Sequence, residues 1–209
     1  MGRHAAGPHH RRSGYLLCTR RAYPPSARQA HRHQSGRGLK NAHVFGHDVD
    51  RLSQTIMTFA RRLLDSGWTI TWFPTTQDDA DEMRRLIARA NLPPMAIMSD
   101  FLNIPAMLDR LKEQDIFVGQ RLHSVVAASS VYVPVLALEY QLKCRDFMMS
   151  IDQEDAVIRT DTVEAAELFD RVQALYDHHE QVQQRVYQSV QSLRRNLLEG
   201  SRTVKSLIR

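Results

Sequence analysis

Cysteine is close to absent: the 209-residue chain carries two, Cys18 and Cys144, with no paired spacing. That excludes a disulfide scaffold, a zinc knuckle and a dithiol redox pair, and a reducing, cytoplasmic setting is expected. No apolar run approaches the length of a membrane-spanning helix. The best secretory h-region, residues 15–18, is far too short. Glycine-rich ligand loops are missing as well. Ser35-Gly36-Arg37-Gly38 lacks the third glycine of a dinucleotide fingerprint and follows no good strand. There is no P-loop and no Gly-x-Ser-x-Gly elbow. His9-His10 and His178-His179 are adjacent pairs, without the i, i+4 spacing that favours a metal on a helix, so no metal is expected.

Acidic residues are missing from one segment only. Residues 1–40 hold nine Lys/Arg and no Asp or Glu, a charge of +9. Residues 41–209 hold nineteen basic and twenty-three acidic residues, a charge of −4. The formal +5 of the whole chain therefore belongs to its first segment. With five Gly, three Pro and five His and no helical apolar stripe, this segment is expected to be a flexible lead-in over residues 1–12, then a long basic loop over 22–47. No aromatic stacking pattern accompanies the charge, so nucleic acid is not expected as a partner.

The remaining chain has ordinary globular composition, 43% hydrophobic and 24% charged. Its length suits one domain with a sizeable core. The apolar pattern predicts helices over 48–65, 77–90, 104–113, 123–131 and 143–150. Strands are predicted over 68–73, 95–98, 115–119, 133–139 and 156–159, with 15–19 as a first strand. Strands apolar on both faces, alternating with helices, predict an α/β fold with a Rossmann-like parallel sheet covered on both sides, over residues 13–160. Residues 161–209 read as a C-terminal helical segment. Its apolar stripe is longer than one sheet can cover, so it either breaks near 177–180 or packs on something outside this chain.

In an open parallel sheet, ligands bind beyond the carboxyl ends of the strands. After 115–119 come Gln120, Arg121, Leu122 and His123 at a helix start. After 133–139 come Tyr140, Gln141, Leu142 and Lys143, again at a helix start. After 15–19 come Arg20 and Arg21. Three cationic loops on one edge suit a small ligand bearing phosphate and carboxylate. Each residue also has a plain structural use. Arg121 can pair with a carboxylate such as Asp115 or Asp146, His123 can bond a backbone carbonyl, and Lys143 can be a solvated helix-start lysine.

The run Asp115-Ile116-Phe117-Val118-Gly119-Gln120-Arg121-Leu122-His123-Ser124, followed by Val133-Pro134 and an apolar strand ending in Tyr140-Gln141-Leu142-Lys143, resembles the polysaccharide pyruvyl transferase family. Residues 15–23, with an arginine two positions before an aromatic, resemble the family's opening strand and align Arg21 with its arginine. The resemblance implies the C-terminal, donor-binding half of a glycosyltransferase-B-like fold. It implies phosphoenolpyruvate as donor and a pyruvate ketal formed on a saccharide or lipid-linked oligosaccharide acceptor of a bacterial surface polysaccharide. It implies no cofactor beyond that donor. By the residue match, His123 and Arg121 are the catalytic candidates, and Arg21, Tyr140 and Lys143 join them in binding the donor. A missing N-terminal domain or an oligomer partner would complete the cleft, so the chain is expected to be a truncated form, cytoplasmic or peripheral at the inner face of the membrane. Two readings stay open beside it: a nucleotide-sugar-dependent domain, and a degenerate domain that binds a partner. Glu139, just before the tyrosine, departs from the family pattern and is either a base for the acceptor hydroxyl or a weakener of anion binding.

Overall fold

A computed structural model describes residues 16–21, 31–32, 49–100 and 102–207. Two strands come first, β1 (Leu16–Arg21) and β2 (His31–Arg32), described by their backbone. Helix α1 (Val49–Asp65) follows, with Ile56, Phe59, Ala60 and Leu63 fully buried on one face. It stops at Gly67, whose φ of 79° lies in the left-handed region that glycine enters at little cost. The chain continues through β3 (Trp68–Thr69), β4 (Thr71–Trp72), α2 (Gln77–Arg89), β5 (Ala96–Ile97) and α3 (Ile104–Lys112). Then comes a regular succession: β6 (Asp115–Gly119), α4 (Leu122–Ser130), β7 (Val135–Glu139), α5 (Leu142–Ser150) and β8 (Val157–Arg159). Helices α6 (Ala165–Asp177) and α7 (His179–Leu207) close the described chain.

Local chemistry sets the helix starts. Thr76 caps α2, its side chain accepting from the Asp79 amide at 3.2 Å, and Asn103 caps α3 by accepting from the Ala106 amide at 3.2 Å. Aspartates occupy the first turn of α2 and Arg89 its last, the arrangement the helix dipole favours.

The main sheet runs β3-β1-β6-β7-β8, with β2 also paired to β6, and β4-β5 form a second, two-stranded sheet. Strands β6, β7 and β8 are parallel, with Gly119 opposite Ala137 and Glu139 opposite Arg159. Every residue of β6 and β7 is buried. That is why both read as continuous apolar runs instead of alternating ones. The fold is the α/β arrangement of parallel strands and covering helices that the pattern predicts.

Two details differ from the pattern. Strand β1 is antiparallel to β6: Leu16 lies opposite Gly119 and Thr19 opposite Ile116. The predicted single strand over 68–73 is two, because the chain changes partner, from β1 through β3 to β5 through β4. The C-terminal stripe does break inside the expected 177–180 window, at His178 between α6 and α7. Of these two helices, α6 lies against α1. Arg51 of α1 donates to the Asp161 and Val163 carbonyls at 3.1 and 2.9 Å and to Glu164 at 2.6 Å.

Candidate active site

The strand-to-helix turn after β6 needs Gly119. A Cβ there would sit 2.5 Å from Phe117 Cε1 and 2.9 Å from Val125 Cγ2, inside van der Waals contact. Both side chains are fully buried, so neither can swing away. Without a Cβ, α4 drops close onto its own strand and Arg121 falls at its N-cap, in extended backbone with φ −77° and ψ 125°. Arg121 caps nothing with its side chain.

Its guanidinium turns instead to α2. Arg121 Nη2 donates to both oxygens of Asp79, at 2.8 and 3.0 Å. Asp79 is buried, and its Oδ2 also accepts from the Thr75 amide at 3.1 Å and the Thr75 hydroxyl at 2.6 Å. One carboxylate therefore ties the β4–α2 loop to the β6–α4 turn. The partners expected for Arg121 were Asp115 or Asp146; the partner is Asp79. Its position carries a sequence signal: a carboxylate three residues after a threonine N-cap sits where a capping box holds its acid.

The next loop is attached on the other side. Cys144 of α5 donates its thiol to the Gln120 carbonyl at 3.6 Å. Burial raises the Cys144 thiol from 9.0 to about 11, with the Lys143 cation pulling against that shift. Tyr140 is buried at the end of β7, and the exposed Lys143 ammonium stands 5.5 Å from its ring. Glu139, considered as a base, is almost fully buried and held by Arg145 through Nε at 3.1 and 3.2 Å and Nη2 at 2.7 Å. Donating these hydrogen bonds to Glu139 raises the Arg145 guanidinium above its ordinary value. Engaged in this way, Glu139 is a structural anion at the end of β7, and Arg145 is the partner that pattern reading missed.

His123 is the second residue of α4 and is exposed. It lines a groove of about 490 Å³ with Thr75 and Ser124 at its side and Met107, Leu108 and Leu111 of α3 beyond. Three polar atoms at this turn are buried with no hydrogen-bond partner: Gln120 Oε1, Arg121 Nε and Ser124 Oγ. Buried polar atoms normally find a partner, and here three that have none fall within five residues.

Arg21 does not join this rim. Since β1 runs against β6, its carboxyl end reaches the amino end of β6, where Arg21 lies opposite Trp68 of β3. At ~3.4 Å per residue it stands roughly 17 Å along the strand from the level of Gly119. The expectation of a third cationic loop assumed a parallel first strand, and the pairing direction corrects it. Arg121, His123, Tyr140 and Lys143 do share one end of the sheet, on two neighbouring loops.

No curated protein and no solved structure matches this chain significantly. A family model does: that of polysaccharide pyruvyl transferase, over residues 13–141. The matched span runs from the first strand through the turns that carry Arg121, His123 and Tyr140, and ends two residues before Lys143. Covering more than half of the chain and containing its most unusual turn, the match shows that this protein belongs to the polysaccharide pyruvyl transferase family.

Proposed function

We propose that this chain is the donor-binding half of a pyruvyltransferase that takes phosphoenolpyruvate and forms a pyruvate ketal on a saccharide acceptor. The observation that carries the reading is the β6–α4 turn. An arginine fixed by a buried carboxylate, a histidine on the first turn of a helix, and three unpaired polar atoms stand together there.

The chemistry asks for these groups. Phosphoenolpyruvate carries a phosphate and a carboxylate, which suit guanidinium, ammonium and free helix amides. In the reaction the enol C–O bond to phosphate breaks, and two acceptor hydroxyls form C–O bonds to the same carbon. One hydroxyl proton ends on the methylene, which becomes methyl, and the other leaves with phosphate. A group that moves protons near neutral pH is required, and His123 fills that role; general acid–base catalysis of this kind contributes about 10²–10⁴-fold. Arg121 binds the anion, with its orientation set by Asp79. Lys143 neutralises charge on the departing phosphate. Tyr140 bounds the site beside Lys143.

Thermal-shift titration tests the donor. Ligand stabilises the folded state by mass action, about 2.7 kcal/mol at a hundredfold excess over Kd. Phosphoenolpyruvate should raise Tm more than inorganic phosphate does, and His123→Ala and Arg121→Ala should remove the difference. Stabilisation by nucleoside diphosphates without a response to phosphoenolpyruvate would overturn the reading in favour of a nucleotide-sugar site.

A further inference from the structure

Helix α7 has 29 residues, and among the described residues its packing against the protein is confined to its first half. Val182, Val186 and Val190 are buried along one stripe, and Leu193 packs partly against the same core. Among the described residues, the last contact that anchors the helix is Arg194, which donates to the Tyr132 hydroxyl at 2.7 Å and to the Ser130 carbonyl at 3.0 Å. From Arg194 to Ser206 every residue is exposed. The stripe does not stop there. Leu197 and Val204, one heptad apart, continue it and are 65% and 56% exposed, with Leu198 beside them at 59%. These three apolar side chains leave one side of the helix end bare to solvent.

The charges on the same stretch identify the partner. Beyond Arg194, whose guanidinium is bonded to the protein, Arg195, Arg202 and Lys205 are opposed by one acid, Glu199. At 100° per residue, Arg195 and Arg202 fall opposite Leu197 and Val204, and Lys205 lies on the flank. A second copy packed on this stripe would bring basic flanks to basic flanks, the reverse of the opposite charges that border coiled-coil seams. A basic helix with one apolar face instead has the form that lies in the plane of an anionic lipid surface: apolar residues enter the headgroup boundary, and lysine and arginine reach out to the phosphates. None of the helices among the described residues is long and apolar enough to cross a membrane, so this contact lies on the surface. We propose that residues 194–207 of α7 dock the protein on an anionic membrane surface. The inference is independent of the donor chemistry above.

Vesicle co-sedimentation of the full chain tests it. The protein should sediment with vesicles of phosphatidylglycerol and phosphatidylcholine, and far less with phosphatidylcholine alone. Salt should weaken the binding. Each cation near such a surface is worth about fivefold in affinity, so Arg195→Ser, Arg202→Ser and Lys205→Ser together should cost roughly a hundredfold. Leu197→Ser with Val204→Ser should cost at least about tenfold, because binding scales with the apolar area inserted. Both variants change exposed residues and should keep the wild-type Tm. Three results would overturn the proposal. One is no binding by the wild type. Another is binding that both variants retain, which would assign it to other cations, such as those of residues 1–40. The third is a wild-type dimer by light scattering that Leu197→Ser and Val204→Ser dissociate, with no vesicle binding.

Discussion

Asp79 is the residue whose loss should reach furthest, since four hydrogen-bond contacts end on its carboxylate, two from Thr75 and two from Arg121. Asp79→Ala removes a buried anion and leaves the guanidinium beside an emptied site. Breaking a buried ion pair from one side costs about 3–5 kcal/mol. The Arg121 side chain is 24% exposed and partly rehydrates, which lowers the expected loss to about 2–4 kcal/mol. In a domain of this size each kcal/mol moves Tm by roughly 2–4 °C. Asp79→Asn keeps the shape and one accepting oxygen for Thr75 but turns the pair with Arg121 into an amide contact, and should cost about half as much. Urea unfolding of Asp79→Ala, Arg121→Ala and the double variant gives the coupling, expected at about 1.5–3 kcal/mol for groups in direct contact. A coupling near zero would mean that the two loops are held together by packing alone. Asp79→Asn should also raise the KM for phosphoenolpyruvate with a smaller change in kcat, because the anion would meet a misaligned guanidinium. An unchanged KM would remove Asp79 from donor binding and leave it a purely structural role.

Four other outcomes follow from the geometry. Gly119→Ala forces a Cβ against Phe117 and Val125 and should destabilise by about 1–3 kcal/mol, seen as a lower urea midpoint with an unchanged slope; a neutral result would show that α4 is free to lift. Native Cys144 should resist alkylation at pH 8 in peptide mass mapping and react once the protein is unfolded, since the buried thiol ionises only near pH 11. The same raised value works against the fold in alkali. Its contribution is intact below the unfolded thiol's 9.0 and is lost as pH climbs towards about 11, so stability should fall over that window and Cys144→Ser should flatten the fall. His123→Ala, on an exposed helix turn, should leave Tm unchanged and abolish pyruvyl transfer in an assay of phosphate release; wild-type turnover would exclude His123 from the mechanism.

How much of this was legible in the amino-acid order depends on how far each signal reaches along the chain. Buried parallel strands leave a local mark, and 115–119 coincides with β6 to the residue because all five of its positions are buried. Helix starts are local as well, through Thr76 and Asn103. The turn bearing Arg121 and His123 could be found because strand, glycine, cation and helix follow one another within ten residues.

What stayed hidden depends on pairs distant in sequence. Arg121 and Asp79 are 42 residues apart, and on charge alone Asp115 and Asp146, nearer in sequence, were the partners that suggested themselves. Strand direction is hidden for the same reason. The apolar run at β1 reads identically whether it lies parallel or antiparallel to β6, yet the choice moves Arg21 from one end of the sheet to the other. A site assembled from the strand ends of a parallel sheet can thus be recognised from sequence only as far as the strands are known to be parallel, and here that condition holds for β6 and β7, whose loops carry Arg121, His123, Tyr140 and Lys143.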